Sequence, residues 1–456
     1  MKPPVVSDLG RLAVVLAIGV GCGGQTAGSS SGSGGASGHG GGRDAGRDSA
    51  GTNPTDARSD ATPDGGARGG TDGSAAGGAA GGGTAGAGNR GGTGGQGGAA
   101  GSGAHGGAGA PGGRCTPFQF QPSHPCGDAI FTDINKDGRL DVVAVWNDAT
   151  PTSYFLIYRQ TAPRVFADPA QFLYNTYTFN RVAVYDLDQD GVLDIAASNS
   201  SASVGLLLSA GGAGYVSEPA LRPPMNEDMS DVVLADLDGD GYGDVVVPLM
   251  NGNTSLGIYW GTGGGAFSAR ADQTICNNAV HAAVIDANED GRPDLAVSCL
   301  SSGSQVLINQ GNRKFTASLL SGTTQALGLA TGDLNHDGHV DVVVPDRVVK
   351  QLLVYLGDGH GGFAVPTGFL ATTGSQPSVA AMGDLDGDGN ADIVLDDQVQ
   401  STIAFYHGTG DGHFQAAKQI PMSTQTGNLA IGDVDGDGFQ DLMLGTGPTI
   451  FYGPCP

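Results

Sequence analysis

Positive charge, aromatic residues and long apolar runs are all scarce in this chain. Its 456 residues contain 21 Lys and Arg against 46 Asp and Glu, which gives a formal net charge of -25. This acidity argues against nucleic-acid binding, because phosphate recognition needs a basic surface. It also argues against attraction to an anionic lipid surface. No apolar run is long enough to cross a membrane, and the acidity instead suggests cation binding.

The first 21 residues have the pattern of an export signal. Lys2 and Arg11 precede a short apolar stretch at residues 12–20, which is too short to span a bilayer. Residues 19–22 resemble a bacterial lipobox, so Cys22 is the expected lipidation site. We therefore expect an exported lipoprotein of the outer membrane or cell surface, with ordinary secretion as the alternative.

Residues 22–113 are predicted to form a disordered linker behind this anchor. Residues 23–113 contain 37 Gly and lack Ile, Leu, Val, Met, Phe, Trp and Tyr. Such a segment cannot bury enough apolar surface to offset the entropy of ordering it. A Gly-rich coil of this length has an end-to-end distance of ~50 Å, which is enough to hold a domain clear of a membrane.

A nine-residue pattern, D-x-[DN]-x-D-G-x-x-D, recurs seven times after residue 113. Its first residues are Asp133, Asp186, Asp236, Asp286, Asp333, Asp384 and Asp433. Short apolar and β-branched runs surround each copy, and Gly, Asn and Asp separate them, as in strands joined by turns. Repeat periods near 50 residues are typical of propellers and solenoids. We therefore predict an all-β fold over residues 114–456, a seven-bladed β-propeller of four-stranded antiparallel blades.

An aromatic residue precedes the fourth strand of six repeats and is predicted to pack between neighbouring blades. These residues are Phe166, Tyr215, Phe267, Phe315, Phe363 and Phe414.

The seventh repeat lacks a fourth strand, whereas residues 116–120 precede the first loop and belong to no complete repeat. We expect these residues to complete the last blade and close the ring. Cys115 would then lie close to Cys455, so these two cysteines are predicted to form a disulfide, and the cysteines at positions 276 and 299 can pair as well. Cys126 is left as a buried thiol, although sequence alone does not fix the connectivity. Either arrangement implies an oxidising compartment.

The repeated loops have the composition of calcium sites. Side chains at positions 1, 3 and 5 can surround one centre, Gly at position 6 permits a sharp turn, and position 7 can offer its carbonyl. Oxygen-only ligation suits Ca²⁺ better than Zn²⁺ or Mg²⁺. The predicted ligands at positions 1, 3, 5, 7 and 9 are Asp133, Asn135, Asp137, Arg139, Asp141; Asp186, Asp188, Asp190, Val192, Asp194; Asp236, Asp238, Asp240, Tyr242, Asp244; Asp286, Asn288, Asp290, Arg292, Asp294; Asp333, Asn335, Asp337, His339, Asp341; Asp384, Asp386, Asp388, Asn390, Asp392; and Asp433, Asp435, Asp437, Phe439, Asp441.

The seven loops are not equal, and they are not EF-hands. Position 12, where an EF-hand has Glu, is Ala, Val or Leu in every copy, and a strand follows in place of a helix. Position 3 is Asn in the first, fourth and fifth loops, which lowers the negative charge there. We expect up to seven Ca²⁺ ions with a structural role, each fixing the hairpin between the first two strands of a blade.

These loops, the apolar runs after them and turns such as residues 357–363 resemble the FG-GAP and VCBS-type repeats. The propeller of integrin α-subunits is built from such repeats. The resemblance implies a seven-bladed calcium-binding propeller over residues 114–456. It does not imply integrin ligand binding, because the Gly-Ala-Pro element and the accessory domains of an integrin subunit are missing.

No nucleophile–base pair, phosphate-binding loop or zinc motif is evident in the sequence. The turns opposite the calcium loops carry one concentration of charge on adjacent blades, Asp346, Arg347, Asp396 and Asp397, which is a candidate ligand-contact patch. We expect a monomeric, non-catalytic binding or adhesion module for a protein or glycan. The alternative is a secreted carbohydrate-active enzyme, such as a polysaccharide lyase, on a propeller scaffold.

Overall fold

The computed structural model describes the repeat region with short gaps. The described residues are 117–119, 126–147, 152–174, 179–199, 203–211, 214–222, 227–250, 255–365, 367–370, 376–397, 399–422, 428–445 and 449–455. They form strands and no helix, so this part of the chain contains no helix that could span a membrane. The predicted export signal, the lipidation site Cys22 and the linker lie outside the described residues.

The first three blades follow a single N-terminal strand, β1 (Pro117–Gln119). Blade 1 contains β2 (Cys126–Thr132), β3 (Asp141–Asn147), β4 (Ser153–Tyr158), the small hairpin of β5 (Gln160–Ala162) and β6 (Val165–Phe166), and β7 (Ala170–Tyr174). Blade 2 contains β8 (Phe179–Tyr185), β9 (Asp194–Asn199), β10 (Ser203–Ser209) and β11 (Tyr215–Leu221). Blade 3 contains β12 (Asp228–Met229), β13 (Val233–Ala235), β14 (Asp244–Met250), β15 (Leu256–Tyr259), the hairpin of β16 (Gly261–Gly263) and β17 (Ala266–Phe267), and β18 (Ala271–Gln273).

The last four blades have simpler outlines. Blade 4 contains β19 (Asn277–Ile285), β20 (Asp294–Ser301), β21 (Gln305–Asn309) and β22 (Phe315–Leu319). Blade 5 contains β23 (Ala330–Gly332), β24 (Asp341–Asp346), β25 (Gln351–Tyr355) and β26 (Thr367–Leu370). Blade 6 contains β27 (Pro377–Gly383), β28 (Asp392–Asp397), β29 (Thr402–Tyr406) and β30 (Lys418–Pro421). Blade 7 contains β31 (Leu429–Gly432), β32 (Asp441–Leu444) and β33 (Thr449–Phe451). Each blade is an antiparallel sheet in chain order.

The N-terminal strand closes the ring, as predicted. Strand β1 pairs antiparallel with β33, with Pro117 opposite Phe451 and Gln119 opposite Thr449, and it supplies the fourth strand of blade 7. The first strands of consecutive blades contact each other around the ring, and β2 also contacts β31. Strands from both ends of the repeat region therefore hold the last blade together, and the first strands are the innermost ones.

Seven of the eight hydrophobic clusters among the described residues lie between neighbouring blades, one for each pair. The eighth is small and contains Met250, Val280 and Leu327. The faces of each sheet therefore bury their apolar side chains against the adjacent sheets. The aromatic residues before the fourth strands pack against these clusters, which confirms their predicted structural role. They are Phe166, Tyr215, Phe267, Phe315, Phe363 and Phe414.

One of the two predicted disulfides is present among the described residues. Cys276 and Cys299 are bonded across the first two strands of blade 4, with their Cα atoms 6.3 Å apart. Cys455 is buried and is itself disulfide-bonded. Its predicted partner Cys115 lies outside the described residues, so the pairing of these two cysteines stays a prediction.

Candidate metal centres

The aspartate loops share one backbone conformation, and we number them 1 to 7 by blade. Position 6 is glycine in every loop, with φ between 82° and 95°, and position 4 also has positive φ, between 56° and 81°. The left-handed region is costly for residues with a Cβ, which accounts for the invariant glycine. Two such residues within three positions fold the loop back on itself. The side chains of positions 1, 3 and 5 consequently accept hydrogen bonds from backbone amides of the same loop.

Backbone amides hold these side chains in place in all seven loops. The N–H of position 6 donates to the Oδ2 of position 1 at 2.8–3.0 Å. The N–H of position 5 donates to the Oδ1 of position 3 at 2.9–3.2 Å. The N–H of position 7 donates to the Oδ1 of position 5 at 2.7–3.0 Å. The acidic side chains are therefore preorganised by the turn, as local Asx turns are.

Carboxylate oxygens converge in the four loops that contain no Asn at position 3. In loops 2, 3 and 7, positions 1, 3 and 9 each offer an oxygen within 4.8 Å of the other two. In loop 6 the same holds for positions 1, 3 and 5. Ligands on opposite sides of one Ca²⁺ are ~4.6–5.2 Å apart, since Ca–O distances are ~2.3–2.6 Å. These groups have the dimensions and the oxygen chemistry of a calcium site.

The aspartate at position 9 has a structural role that the sequence did not reveal. In loop 3, Asp244 is completely buried and accepts hydrogen bonds from Leu237 N at 2.8 Å and from Gly261 N at 2.7 Å. Its Oδ1 therefore holds the end of the third strand against the loop. The equivalent Oδ1 bond, at 2.6–2.9 Å, is present in every blade. Position 9 thus links the loop to the blade as well as facing the acidic centre.

Burial raises the pKa of every position-9 carboxyl. Desolvation is the largest cause, and nearby loop carboxylates add to it. The pKa of Asp194, Asp244 and Asp441 rises from the ordinary 3.8 to about 7. That of Asp341 and Asp392 rises to about 6, and those of the first and fourth loops are raised too. The negative charge of these groups is costly in the folded protein, and a bound cation would offset that cost.

We predict opposite pH dependence for the calcium-free and calcium-saturated proteins. Because these folded pKa values exceed the unfolded value, the folded state binds more protons than the unfolded state between pH ~4 and ~7. The unfolding midpoint of calcium-stripped protein is therefore expected to rise as pH falls from ~8 to ~5. With saturating calcium, protons compete with the ion, and the midpoint is expected to fall. Thermal unfolding in both states checks this prediction, and parallel slopes would contradict it.

Two arginines from a neighbouring blade contact the position-3 aspartate of a loop. Arg313 of blade 4 lies 2.6 Å from Asp238 of loop 3 and stacks over Trp260 at 4.7 Å. Arg164 of blade 1 contacts Asp435 of loop 7 and stacks over the ring of Tyr452 in blade 7. These contacts cross between blades, so spacing along the sequence did not predict them. Each guanidinium neutralises a carboxylate that calcium would use.

Arg313→Gln is expected to tighten calcium binding at loop 3 by about two- to fivefold. The arginine competes with the ion for Asp238, and a half-exposed ion pair of this kind contributes about 1 kcal/mol or less. Fluorescence of Trp260, which lies beneath the guanidinium, would follow the titration. Lys314→Gln removes the same charge one residue away and serves as the control. A weaker calcium affinity for Arg313→Gln would show that the arginine supports the site.

Two pairs of charged residues lie on the innermost strands of blades 1 to 4. Arg181 lies 3.8 Å from Asp128, and His281 Nδ1 lies 2.6 Å from Asp231 Oδ2. Each residue lies five positions before its loop, and in blades 1, 2 and 4 a β-bulge immediately precedes it, which can redirect a side chain. Burial raises the pKa of Asp128. For Asp231 the effect of burial is outweighed by the charge and hydrogen bond of His281, which lower its pKa.

The predicted contact patch on blades 5 and 6 is wrong for its three carboxylates. Asp346, Asp396 and Asp397 are all at most 1% exposed, so they do not form a surface for a ligand. They accept hydrogen bonds within and next to their turns, from donors that include Gln325 N, Val348 N, Val349 N, Ser378 Oγ, Val399 N and Gln400 N. Arg347 is partly buried and donates to Gln376 Oε1 at 2.6 Å. These charged side chains therefore stabilise their turns.

Comparison with known proteins agrees with the repeat architecture. No curated protein matches the chain significantly. A structure on recognition of non-reducing terminal N-acetylglucosamine by an Agrocybe aegerita lectin is 16% identical, covers 69% of this chain and 88% of its own, and has a TM-score of 0.45. BBS1N in complex with ARL6DN is 12% identical, covers 73% and 93%, and has a TM-score of 0.49. The model of the FG-GAP-like repeat matches residues 133–197, 186–247, 236–297, 286–344, 347–395 and 396–444. The chain belongs to the FG-GAP-like repeat family.

Proposed function

We propose that this protein is a calcium-stabilised propeller that acts as a non-catalytic binding module for a protein or glycan. The observation that carries the calcium part is the repetition of one preorganised loop in every blade, with converging carboxylates in four of them. A single acidic turn is common on protein surfaces. Seven turns with the same hydrogen bonds, each ending in a buried aspartate, favour a shared ligand. Up to seven Ca²⁺ ions are proposed, with the carbonyls of position 7 as further ligands.

The way the ring is built supports the proposed binding role. Seven interblade clusters and a closed last blade make the ring rigid, and a rigid surface loses little conformational entropy when it binds a partner. The proposed lipid at Cys22 and the Gly-rich linker would display this ring at the cell surface as a monomer. No nucleic-acid partner is proposed, because the chain has a formal charge of -25.

A glycan array with the full chain tests the binding proposal. The array is read in the presence of calcium, after calcium removal, and after calcium is restored. Retention of a glycan class that disappears without calcium and returns with it is the expected result. Proteins taken from the surface of the cells that produce this chain, and then immobilised, test binding to a protein in the same three conditions. Loss of the array glycan through release of soluble products would contradict a non-catalytic role.

A carbohydrate-active enzyme is the second candidate, and the His281–Asp231 pair is the observation that favours it. A buried imidazole held by a carboxylate on the innermost strands is a suitable general base. If this candidate is right, soluble polysaccharide incubated with the protein yields shorter products, and His281→Ala abolishes them. Unchanged polysaccharide after prolonged incubation in calcium leaves the binding module as the function.

A further inference from the structure

His407 directly follows the third strand of blade 6, at a position where the other blades have a different kind of side chain. Asp392 Oδ1 accepts a hydrogen bond from Gly408 N, and His407 is the residue just before that donor. The equivalent residues in blades 1 to 5 and 7 are Arg159, Leu208, Trp260, Ile308, Leu356 and Tyr452. All except the arginine belong to, or pack against, an interblade cluster. The presence of an imidazole at a position that is apolar in most blades therefore calls for a physical explanation.

The histidine is buried, and hydrogen bonding does not account for it. His407 is 4% exposed; its Nε2 has no hydrogen-bond partner among the described residues, and its Nδ1 contacts two carboxylates without hydrogen-bond geometry. A buried polar group without a partner costs about 1–3 kcal/mol. The Nδ1 atom faces loop 6, where it lies 3.0 Å from Asp386 Oδ2 and 3.6 Å from Asp392 Oδ1. The Nδ1 atom of the imidazole therefore directs its lone pair, or its proton, towards two carboxylates.

The geometry points to a binding site for a divalent transition metal, formed by His407, Asp386 and Asp392. One ligand atom from each of the three residues lies within 4.8 Å of the other two. One imidazole nitrogen with carboxylate oxygens is a donor set that Zn²⁺ and its neighbours accept, with ligand distances of ~2.0–2.2 Å. Ca²⁺ in proteins takes oxygen ligands, and so the imidazole sets loop 6 apart from the other six loops.

The site shares carboxylates with a proposed calcium loop but does not depend on calcium elsewhere. Asp386 also belongs to the group that Asp384 and Asp388 complete. Asp386 thus belongs to two alternative metal sites, one with Asp384 and Asp388 and one with His407 and Asp392. An ion bound to Nδ1 of His407 takes Asp386 from the site that has only oxygen ligands. Loop 6 is then selective for a transition metal, while the other loops keep their oxygen ligands.

Titration of the full chain with Zn²⁺, in a buffer that contains saturating calcium, tests this site. His407→Leu is the key variant. Leucine occupies the same position in blades 2 and 5, so the propeller is expected to tolerate it. The variant is expected to lose at least about tenfold in affinity for the tightest Zn²⁺ site, the range lost even when only a supporting group is removed. His413→Leu, which removes an exposed histidine beside Asp411, is expected to change nothing. Equal Zn²⁺ affinity in wild type and His407→Leu would overturn the proposal.

Two further measurements keep the outcome interpretable. X-ray absorption at the zinc edge is expected to show nitrogen in the first shell of the wild-type site, and an all-oxygen shell would overturn the proposal. The calcium-dependent shift in unfolding midpoint is expected to persist in His407→Leu, because six other loops remain. A shift that is missing from wild type as well would count against the calcium proposal and leave the zinc result to stand on its own. His407→Gln repeats the titration should the leucine variant unfold.

Discussion

Removal of calcium is expected to lower the unfolding midpoint of the propeller by about 10–15 °C. Extracellular calcium modules bind with Kd values of ~10⁻⁴–10⁻³ M. At about 1 mM free calcium and a Kd of ~10⁻⁴ M, each occupied loop stabilises the folded state by about 1.4 kcal/mol. Seven such loops in one cooperative ring contribute about 10 kcal/mol, and the six loops with oxygen-only ligands alone contribute about 8 kcal/mol. For a domain of about 340 residues, an unfolding entropy of ~2.1 cal/mol/K per residue makes 1 kcal/mol correspond to about 1.4 °C.

The large effect depends on the position of the loops in each blade. Every loop joins the first two strands, and its position-9 aspartate also holds the third. Without a cation, the carboxylates that converge in loops 2, 3, 6 and 7 repel one another. Differential scanning calorimetry before and after chelation, followed by calcium restoration, measures the shift. Magnesium at the same concentration is the control, since it demands a smaller octahedral site. A midpoint that chelation leaves in place would rule out stabilising ions in these loops.

The sequence predicted those features that repeat along the chain. The seven loops and the aromatic residues before the fourth strands recur at nearly regular intervals. Residues 116–120 belong to no complete repeat, and the pairing of β1 with β33 confirms that they close the ring. Periodicity identifies such features because each blade repeats one structural solution. The pairing of Cys276 with Cys299 was also expected, because the two cysteines flank the first two strands of blade 4.

Contacts between blades could not be predicted from the spacing of residues along the sequence. Arg313 meets Asp238 across 75 positions of the sequence, and Arg164 meets Asp435 across 271. His407 was not predicted as a site residue, because only the folded blade brings it to loop 6. The contact patch failed for a related reason. An aspartate at the end of a strand can be a surface charge or an acceptor for its own turn, and composition alone does not separate the two roles.

The second large effect is expected from Asp244→Ala, which should lower the free energy of unfolding by about 2–5 kcal/mol with or without calcium. The substitution removes an acceptor from two backbone N–H groups, those of Leu237 and Gly261. A buried donor left without a partner costs about 1–3 kcal/mol, and the two donors here lie in different elements. The loss of Asp244 therefore frees the third strand of blade 3 from its loop. Urea unfolding in both states measures the change.

Asp240→Ala provides the matched control, because Asp240 belongs to the same loop but is exposed. It accepts a hydrogen bond from Tyr242 N at the surface, where water can replace the carboxylate. This variant is expected to cost about 1–2 kcal/mol in calcium, through loss of one ion, and almost nothing in its absence. The difference between the two variants in calcium-free buffer isolates the structural bond from the metal ligand. Equal costs there would mean that Asp244 acts only as a ligand, and that the bonds from Leu237 and Gly261 add nothing to stability.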